Sequence, residues 1–315
     1  MDRVICVVGP TATGKTKLAV ALCQMLGGEV VSCDSMQLYR GMVVGTAAPT
    51  QEEMQGVRHH MVGVVDPRER FSAGRYVELA GRCVDDILSR GKVAVIAGGT
   101  GLYVDSLVAG REFAPCPQTG RREALEREAL ESGIGPLLER LRGIDPDAAA
   151  RLHPSDRRRI IRALEVFEET GVTMTEHDRR TRLVPPRYSP VWIGLDFGDR
   201  ADLYARIDAR VDKMMEGGLV SEVQTLLDSG IPPDATAMQA IGYKEIVRAL
   251  AGEYSMDEAV RLIKQGSRRY AKRQRTWFRR NPAISWIEMP AQPDFSLVLE
   301  AVRPLVPGFD RPKLV

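Results

Sequence analysis

At 315 residues, 44% hydrophobic and 27% charged with no biased tract, the chain has room for one large domain or two ordinary ones and the composition of a soluble globular protein. Its five cysteines (Cys6, Cys23, Cys33, Cys83, Cys116) are widely spaced with no C-x-x-C pair, which argues against a zinc site or a disulfide framework, and a net charge of +2 neither requires nor excludes nucleic acid. The longest early apolar run, VICVVG, is too short for a membrane span, and the chain opens directly in a strand pattern with no basic leader, so a cytoplasmic protein with no membrane partner is expected.

Taken in order, three apolar runs end in glycine or aspartate: VICVVG, EVVSCD and KVAVIAGGTG. Each is of strand length and rich in β-branched residues. Helical patterns separate them. Leu18, Ala21, Leu22, Met25 and Leu26 follow Thr16 at helical spacing, and residues 74–90 repeat the pattern through Tyr76, Leu79, Ala80, Cys83, Ile87 and Leu88. Strands alternating with helices predict a parallel sheet with helices on both faces, which VWIGLD (191–196) and ISWIEM (284–289) extend. Residues 112–187 differ. They run from a connector, FAPCPQTG, to RLVPPRYSP, and across 121–182 they hold thirteen Arg and thirteen Asp or Glu in a helical pattern without a strand. By composition alone this is a solvated helical insertion in a core formed by 1–111 and 188–315. A long helix is expected from about Met256, with Ala259, Ile263, Tyr270 and Trp277 on one face and Arg268, Lys272, Arg275 and Arg279 on another. From Arg261 to Arg280 nine basic residues occur with no acidic one, a stripe able to bind phosphates.

The chemistry-bearing motifs lie at the strand ends. GPTATGKT, Gly9–Pro10–Thr11–Ala12–Thr13–Gly14–Lys15–Thr16, fits GxxxxGK[ST] between a strand and a helix. Its glycines let backbone amides turn inward on phosphate oxygens, Lys15 adds a charge, and Thr16 offers a hydroxyl to Mg²⁺. Asp34 ends the second strand. A carboxylate there can hold Mg²⁺ through water, accept a proton from a nucleophile, or simply cap a turn. AGGTGLY places Thr100 at the same edge. His59 and His60 are adjacent in an extended segment, point to opposite faces, and make a poor metal pair; one of them is expected to hydrogen-bond within the core. In HPSDRRRIIRALEVFEETG, Ser155 or Asp156 reads as the N-cap, Gly171 as the stop, and Ile160, Leu164 and Phe167 as the buried stripe.

Taken together, GPTATGKT, DSMQLYRGMVVGTAAP, HHMVGVVDP, AGGTGLY, LHPSDRRRIIRALEVFEETG, RIDARVDKMMEGGLVSEV, AIGYKEI and YAKRQRTWFRR resemble, in order and over nearly the whole chain, the motifs of the bacterial-type tRNA dimethylallyltransferases, also called isopentenyl-tRNA transferases. The resemblance implies a P-loop NTPase-like α/β core carrying a helical insertion domain. It implies transfer of a dimethylallyl group from dimethylallyl diphosphate to N6 of the adenosine 3′ of the anticodon, in tRNAs reading codons that begin with U. Diphosphate is released and Mg²⁺ assists. On the same footing Gly9 to Thr16 match the diphosphate-binding loop, Thr16 the Mg²⁺ ligand, and Asp34 the general base. Arg206 matches an arginine on the diphosphate. Asp34, Ser35, Met36 and Gln37, together with Arg158, Arg159, Ile160, Ile161 and Arg162, match segments that contact the tRNA anticodon stem-loop. Thr100 and Arg122 match two further positions near the target nucleoside, and Thr100 and Arg206 are expected to be catalytic together with Asp34. Two departures stand out: Thr13 replaces a common Ser, and Ala48 a usual Lys.

The resemblance turns the insertion from a bland solvated unit into an expected tRNA-contacting one, and it agrees with the chemistry. An adenine amine must leave the base stack to be alkylated, and a carboxylate must take its proton. Adenylate dimethylallyltransferase is the near alternative, though a free nucleotide needs no stem grip. A small-molecule or nucleoside kinase is the alternative of another class, and an RNA-binding protein with a relic loop a third. No heptad or apolar stripe calls for a partner subunit, so a monomer is expected.

Overall fold

The computed structural model describes residues 2–114, 119–290 and 294–306. Two compact units result: residues 1–109 with 187–315, and 110–186. Cys116, in the connector, lies outside the described residues.

The larger unit is built on one sheet. Strands β1 (Asp2–Val8), β2 (Gly28–Ser32), β3 (His59–His60), β4 (Val93–Gly98), β5 (Tyr188–Phe197) and β6 (Ser285–Met289) stand in the order β3-β2-β4-β1-β5-β6. Every pairing is parallel. Alternation along β1 divides the core. Val4, Cys6 and Val8 enter one apolar cluster, Ile5 and Val7 the other, because successive side chains leave a strand on opposite faces. Helices therefore cover both faces, as parallel strands demand.

These helices are α1 (Lys15–Leu26), α2 (Gln51–Met54), α3 (Ala73–Ser89) and α4 (Gly101–Ala109). In α1 the buried residues are Leu18, Ala19, Val20, Leu22 and Cys23, while Ala21, Met25 and Leu26 are only partly covered. In α3 they are Tyr76, Val77, Ala80, Gly81, Val84 and Ile87, so Leu79, Cys83 and Leu88 flank the buried face rather than forming it. The difference is a small rotation set by the sheet: Tyr76 stacks on Tyr103 of α4 at 4.2 Å and donates its hydroxyl to the Ser32 carbonyl at 2.9 Å. Each fully buried Leu or Ile on these faces contributes roughly 1.5–3 kcal/mol.

The second unit is all-helical: α5 (Arg121–Glu131), α6 (Gly135–Ile144), α7 (Pro146–Arg151), α8 (Arg157–Thr170) and α9 (Met174–Leu183). Its small core takes Leu125, Leu137, Leu141, Ile160, Ile161 and Leu164. Asp156 caps α8 by accepting from the Arg159 amide, and Gly171 ends it in the left-handed conformation. Phe167 is only partly buried; Ile161 and Val166 take the place the periodicity assigned to it.

Returning to the first unit, α10 (Arg200–Glu216), α11 (Leu219–Asp228), α12 (Tyr243–Leu250), α13 (Met256–Phe278) and α14 (Phe295–Val302) complete it. On α13 the covered residues are Ala259, Ile263, Ala271, Gln274 and Phe278, whereas Trp277 is 36% exposed. The basic face expected on this helix is largely spent inside the fold. Arg268 pairs with Asp208 of α10 at 2.6 Å, and Arg275 and Arg279 share Asp196 of β5 at 2.8 and 3.0 Å. Lys272 alone of the four stays exposed without such a pair. Among the described residues, no helix is long and apolar enough to cross a membrane.

Candidate active site

The carboxyl ends of β1, β2 and β4 converge on a cavity of about 650 Å³. It is lined by Thr11, Ala12, Gly14, Lys15, Thr16 and Lys17 with Gly98 and Gly99; by the acidic and polar pair Asp34 and Gln37; and by residues of α10 and α13, namely Arg206, Arg210, Lys213, Tyr270 and Gln274. The remaining lining residues are the apolar Val43, Val44, Ala47, Ala48 and Met214 and the polar Thr50 and Glu53.

Local geometry explains the phosphate loop. Gly9 has φ 137, and a Cβ there would lie 2.2 Å from the Leu195 carbonyl oxygen, so only glycine lets the loop leave β1 against β5. Gly14 is the N-cap of α1 with φ 87 and no side chain to cap it. The first amides of the helix therefore keep their hydrogen-bonding capacity for an anion. Thr13 is buried and donates its hydroxyl to the Pro10 carbonyl at 2.9 Å, bracing the turn from within. Lys15 donates to the same carbonyl. Burial, and secondarily the charge of Arg210, pull the Lys15 amine down to about 7, against a smaller opposing pull from Asp34. An anion placed here would relieve that cost directly.

Asp34 is held rather than free. Its Oδ1 accepts from the Met36 amide at 2.8 Å and from the Gln37 amide at 3.3 Å. The other oxygen receives no hydrogen bond among the described residues. Gln37 is likewise committed, donating to the Thr46 and Ala47 carbonyls and accepting from Ser32 Oγ at 3.1 Å. Glu222 fastens the apolar wall by accepting from the amides of Val43, Val44 and Gly45 and from the Tyr243 hydroxyl.

Not every residue singled out in the sequence reaches the cavity. Thr100 stands one step back: its hydroxyl oxygen accepts from the Ser35 amide at 3.2 Å, with the Tyr270 phenol beside it. Burial first, and Asp34 second, push the Tyr270 phenol up to about 12. Gly9, Pro10, Thr13, Ser35 and Met36 shape the loops without lining the cavity. Arg206 does line it, with its Nε 3.3 Å from the Ala12 carbonyl and its guanidinium over Phe197.

The remaining expected residues belong to the helical unit. Arg122 pairs with Glu126 and Glu165, and Arg162 with Glu165. Arg158 and Arg159 are exposed, while Ile160 and Ile161 are buried in that unit's core.

Sequence reasoning missed Arg210, Lys213, Glu53 and Gln274. The first two carried a signal, since Arg206, Arg210 and Lys213 recur one helical turn apart on α10. Arg210 donates to Thr11 Oγ at 3.2 Å. Gln274 carried none that a local pattern could show. It is 5% exposed, accepts from the Thr11 amide at 2.9 Å and donates to the Gly99 carbonyl at 3.0 Å, so one side chain ties the phosphate loop to the Gly98–Gly99 turn.

Among the described residues no group of three His, Cys, Asp or Glu could hold a metal by itself. Thr16 and Asp34 nevertheless line the cavity together, and one hydroxyl with one carboxylate suits Mg²⁺, which takes few protein ligands and completes its shell with phosphate oxygens and water. A cradle for phosphates, a carboxylate and an apolar wall in one cavity can bind a diphosphate ester with an apolar tail and take up a proton beside it.

Comparison with known proteins agrees. Residues 37–281 match the IPP transferase family model, and residues 2–68 the isopentenyl transferase model. The chain is 48% identical over 292 residues to a tRNA dimethylallyltransferase of Geobacter sulfurreducens, covering 93% of this chain and 94% of the relative. Among solved structures, it is similar to the full-length tRNA isopentenylpyrophosphate transferase of Bacillus halodurans (41% identity, TM-score 0.70, covering 95% of this chain and 94% of that one). It is also similar to a eukaryotic dimethylallyltransferase acting on tRNA (27% identity, TM-score 0.80, covering 96% and 78%).

Proposed function

The chain belongs to the IPP transferase family, and we propose that its cavity joins a dimethylallyl group to tRNA. It is a tRNA dimethylallyltransferase, a prenyltransferase that moves the group from dimethylallyl diphosphate to N6 of the adenosine 3′-adjacent to the anticodon, in tRNAs reading codons that begin with U. The observation that carries this reading is the shared cavity, which Lys15, Arg206 and Arg210, the apolar Val43, Val44, Ala47 and Ala48, and Asp34 all line.

The step balances simply. The N6–C1 bond forms as the C1–O bond breaks, the electron pair leaves with diphosphate, and the proton of N6 passes to Asp34. Adenine N6 is a weak nucleophile because its lone pair is conjugated into the ring, so removal of its proton during attack is what a fixed carboxylate supplies. The amides before α1, with Lys15, Arg206 and Arg210, stabilise the charge growing on the leaving group. Thr16, with Asp34 beside it, would hold a Mg²⁺ ion, which would further neutralise that charge. Thr100 keeps the Asp34–Ser35 turn in place. Ala48 extends the apolar wall where a charge would stand in many family members, which suits an isoprenoid tail.

In the helical unit, Arg158, Arg159, Arg162 and Arg122 are the proposed contacts to the anticodon stem-loop backbone, with Ile160 and Ile161 fixing the helix that presents them. The protein is proposed to act in the cytoplasm as a monomer.

The test is incubation with labelled dimethylallyl diphosphate, Mg²⁺ and unmodified tRNA. Label is expected in RNA, on the adenosine beside the anticodon. Label in adenosine monophosphate instead would make it an adenylate dimethylallyltransferase, and phosphoryl transfer from ATP a kinase. Asp34→Ala should keep tRNA binding and lose transfer by about three orders of magnitude or more, in the range of a general base. Near-normal turnover would remove Asp34 from that role.

A further inference from the structure

A second, much smaller cavity of about 20 Å³ lies beside the phosphate loop, and Thr16, Gln37 and Ala97 line both it and the larger one. Its other polar wall residues are Ser32 and His59. His59, one of those lining residues, has its Nε2 fully buried with no hydrogen-bond partner among the described residues. We propose that this cavity holds one water molecule through which His59 orients the hydroxyl of Thr16, making His59 a positioning residue for the diphosphate site.

The hydrogen-bond inventory leaves little choice. His59 Nδ1 lies 2.9 Å from the Val57 carbonyl, which can only accept, so Nδ1 carries the proton. Burial disfavours the imidazolium, in keeping with a bare Nε2 that needs a donor. Gln37 has none to offer, since its amide donates to Thr46 and Ala47. Ser32 has none either, because its hydroxyl donates to Gln37 Oε1. Thr16, the remaining hydroxyl on the wall, makes no direct hydrogen bond to Nε2 either, so a water supplies the proton, and the cavity has the volume of one. That water donates to Nε2 and to a lone pair of Ser32 Oγ, and accepts from the Thr16 hydroxyl. Three bonds complete its usual complement.

The consequence is directional. With its single proton drawn toward the water, Thr16 presents lone pairs, and no donor, to the larger cavity. That is the orientation in which a hydroxyl serves a cation rather than a phosphate oxygen. This inference rests on the proposed function only for its bearing on the reaction.

The experiment is chosen to be independent of turnover. A high-resolution crystal structure of the protein should show density about 2.8 Å from His59 Nε2 and within the same reach of Thr16 and Ser32. Nitrogen NMR of ¹⁵N-histidine-labelled protein should show His59 protonated at Nδ1 and bare at Nε2. Two variants separate position from packing. An Asn amide sits where Nδ1 lies and a Gln amide where Nε2 lies, so His59→Gln restores the acceptor and His59→Asn does not. In calorimetric titration with inorganic diphosphate and Mg²⁺, His59→Asn should raise the Mg²⁺ concentration needed for half-maximal binding roughly fivefold, the worth of one neutral hydrogen bond, and His59→Gln much less. A cavity without density, an Nε2-protonated ring, or equal behaviour of the two variants overturns the proposal. A protein that shows the water but transfers no prenyl group would overturn the functional reading alone.

Discussion

Gln274 joins two loops that meet only in the folded protein, and its amide satisfies both at once. Replacing it by Met keeps the volume and removes both hydrogen bonds, leaving the Gly99 carbonyl unpaired in a buried place and the Thr11 amide unpaired in a partly buried one. Gln274→Met should therefore cost about 2 kcal/mol of stability. It should also lower the affinity for dimethylallyl diphosphate more than that for tRNA, checked by separate titrations. At Gly9 the constraint is the backbone itself. Gly9→Ala meets the Leu195 carbonyl and an unfavourable φ together, so it should lose diphosphate binding and at least about 1–3 kcal/mol of stability, read from denaturant unfolding. Both act by fixing where the amides of the phosphate loop point.

At the scale of elements, the sheet is also held at the end remote from its cavity. Glu29, at the start of β2, is 3% exposed and accepts from Arg90, Lys92 and His60. The Arg90 hydrogen bonds, with help from Lys92 and His60 and against burial, hold its carboxyl well below the ordinary carboxylate value of 4.5. A depressed folded-state value means the unfolded chain takes up protons first as the pH falls. The stability this cluster contributes is thus present above about pH 4.5 and is lost on acidification below it. Glu29→Gln should reduce that acid sensitivity in thermal melts. Near neutrality it should cost about 2 kcal/mol, less than the roughly 3–5 of a fully buried pair, because Arg90 and Lys92 are 33% and 47% exposed and can return to water. Helix α13 teaches the opposite lesson. Its count of basic residues pointed to a phosphate-binding stripe, yet Asp208 and Asp196 neutralise part of it from other elements. A charge count along one helix cannot register partners sixty or more residues away.

For the whole molecule, the two units divide the work proposed for them: chemistry in the sheet-based unit and backbone grip in the helical one. Arg158 and Arg159 are the exposed members of the arginine run, so their joint replacement by Glu should weaken tRNA binding without changing the affinity for dimethylallyl diphosphate. The salt dependence of tRNA affinity should flatten as well, by a slope of roughly 0.7–0.9 for each phosphate contact removed. An unchanged slope would place the tRNA grip elsewhere. Measurement of the solution mass with and without tRNA checks the monomer.

Much of this was legible in the residues. Five β-branched runs became five strands of one parallel sheet, since such runs have few other ways to bury both faces. GPTATGKT formed a phosphate loop because its glycines and the helix behind it specify that turn locally. The sixth strand was not legible, because His59 and His60 make a two-residue edge pairing with Val30 and Val31 that no periodicity can signal. Nor was the setting of Thr100, the internal pairing of the α13 arginines, or the service of Gln274 to two loops at once. Each depends on groups far apart in sequence that approach to hydrogen-bonding distance only when the sheet closes. The local sequence determined which backbone would cradle an anion and which carboxylate would stand at a strand end. Tertiary packing decided which side chains share that cavity, because only packing sets distances between elements.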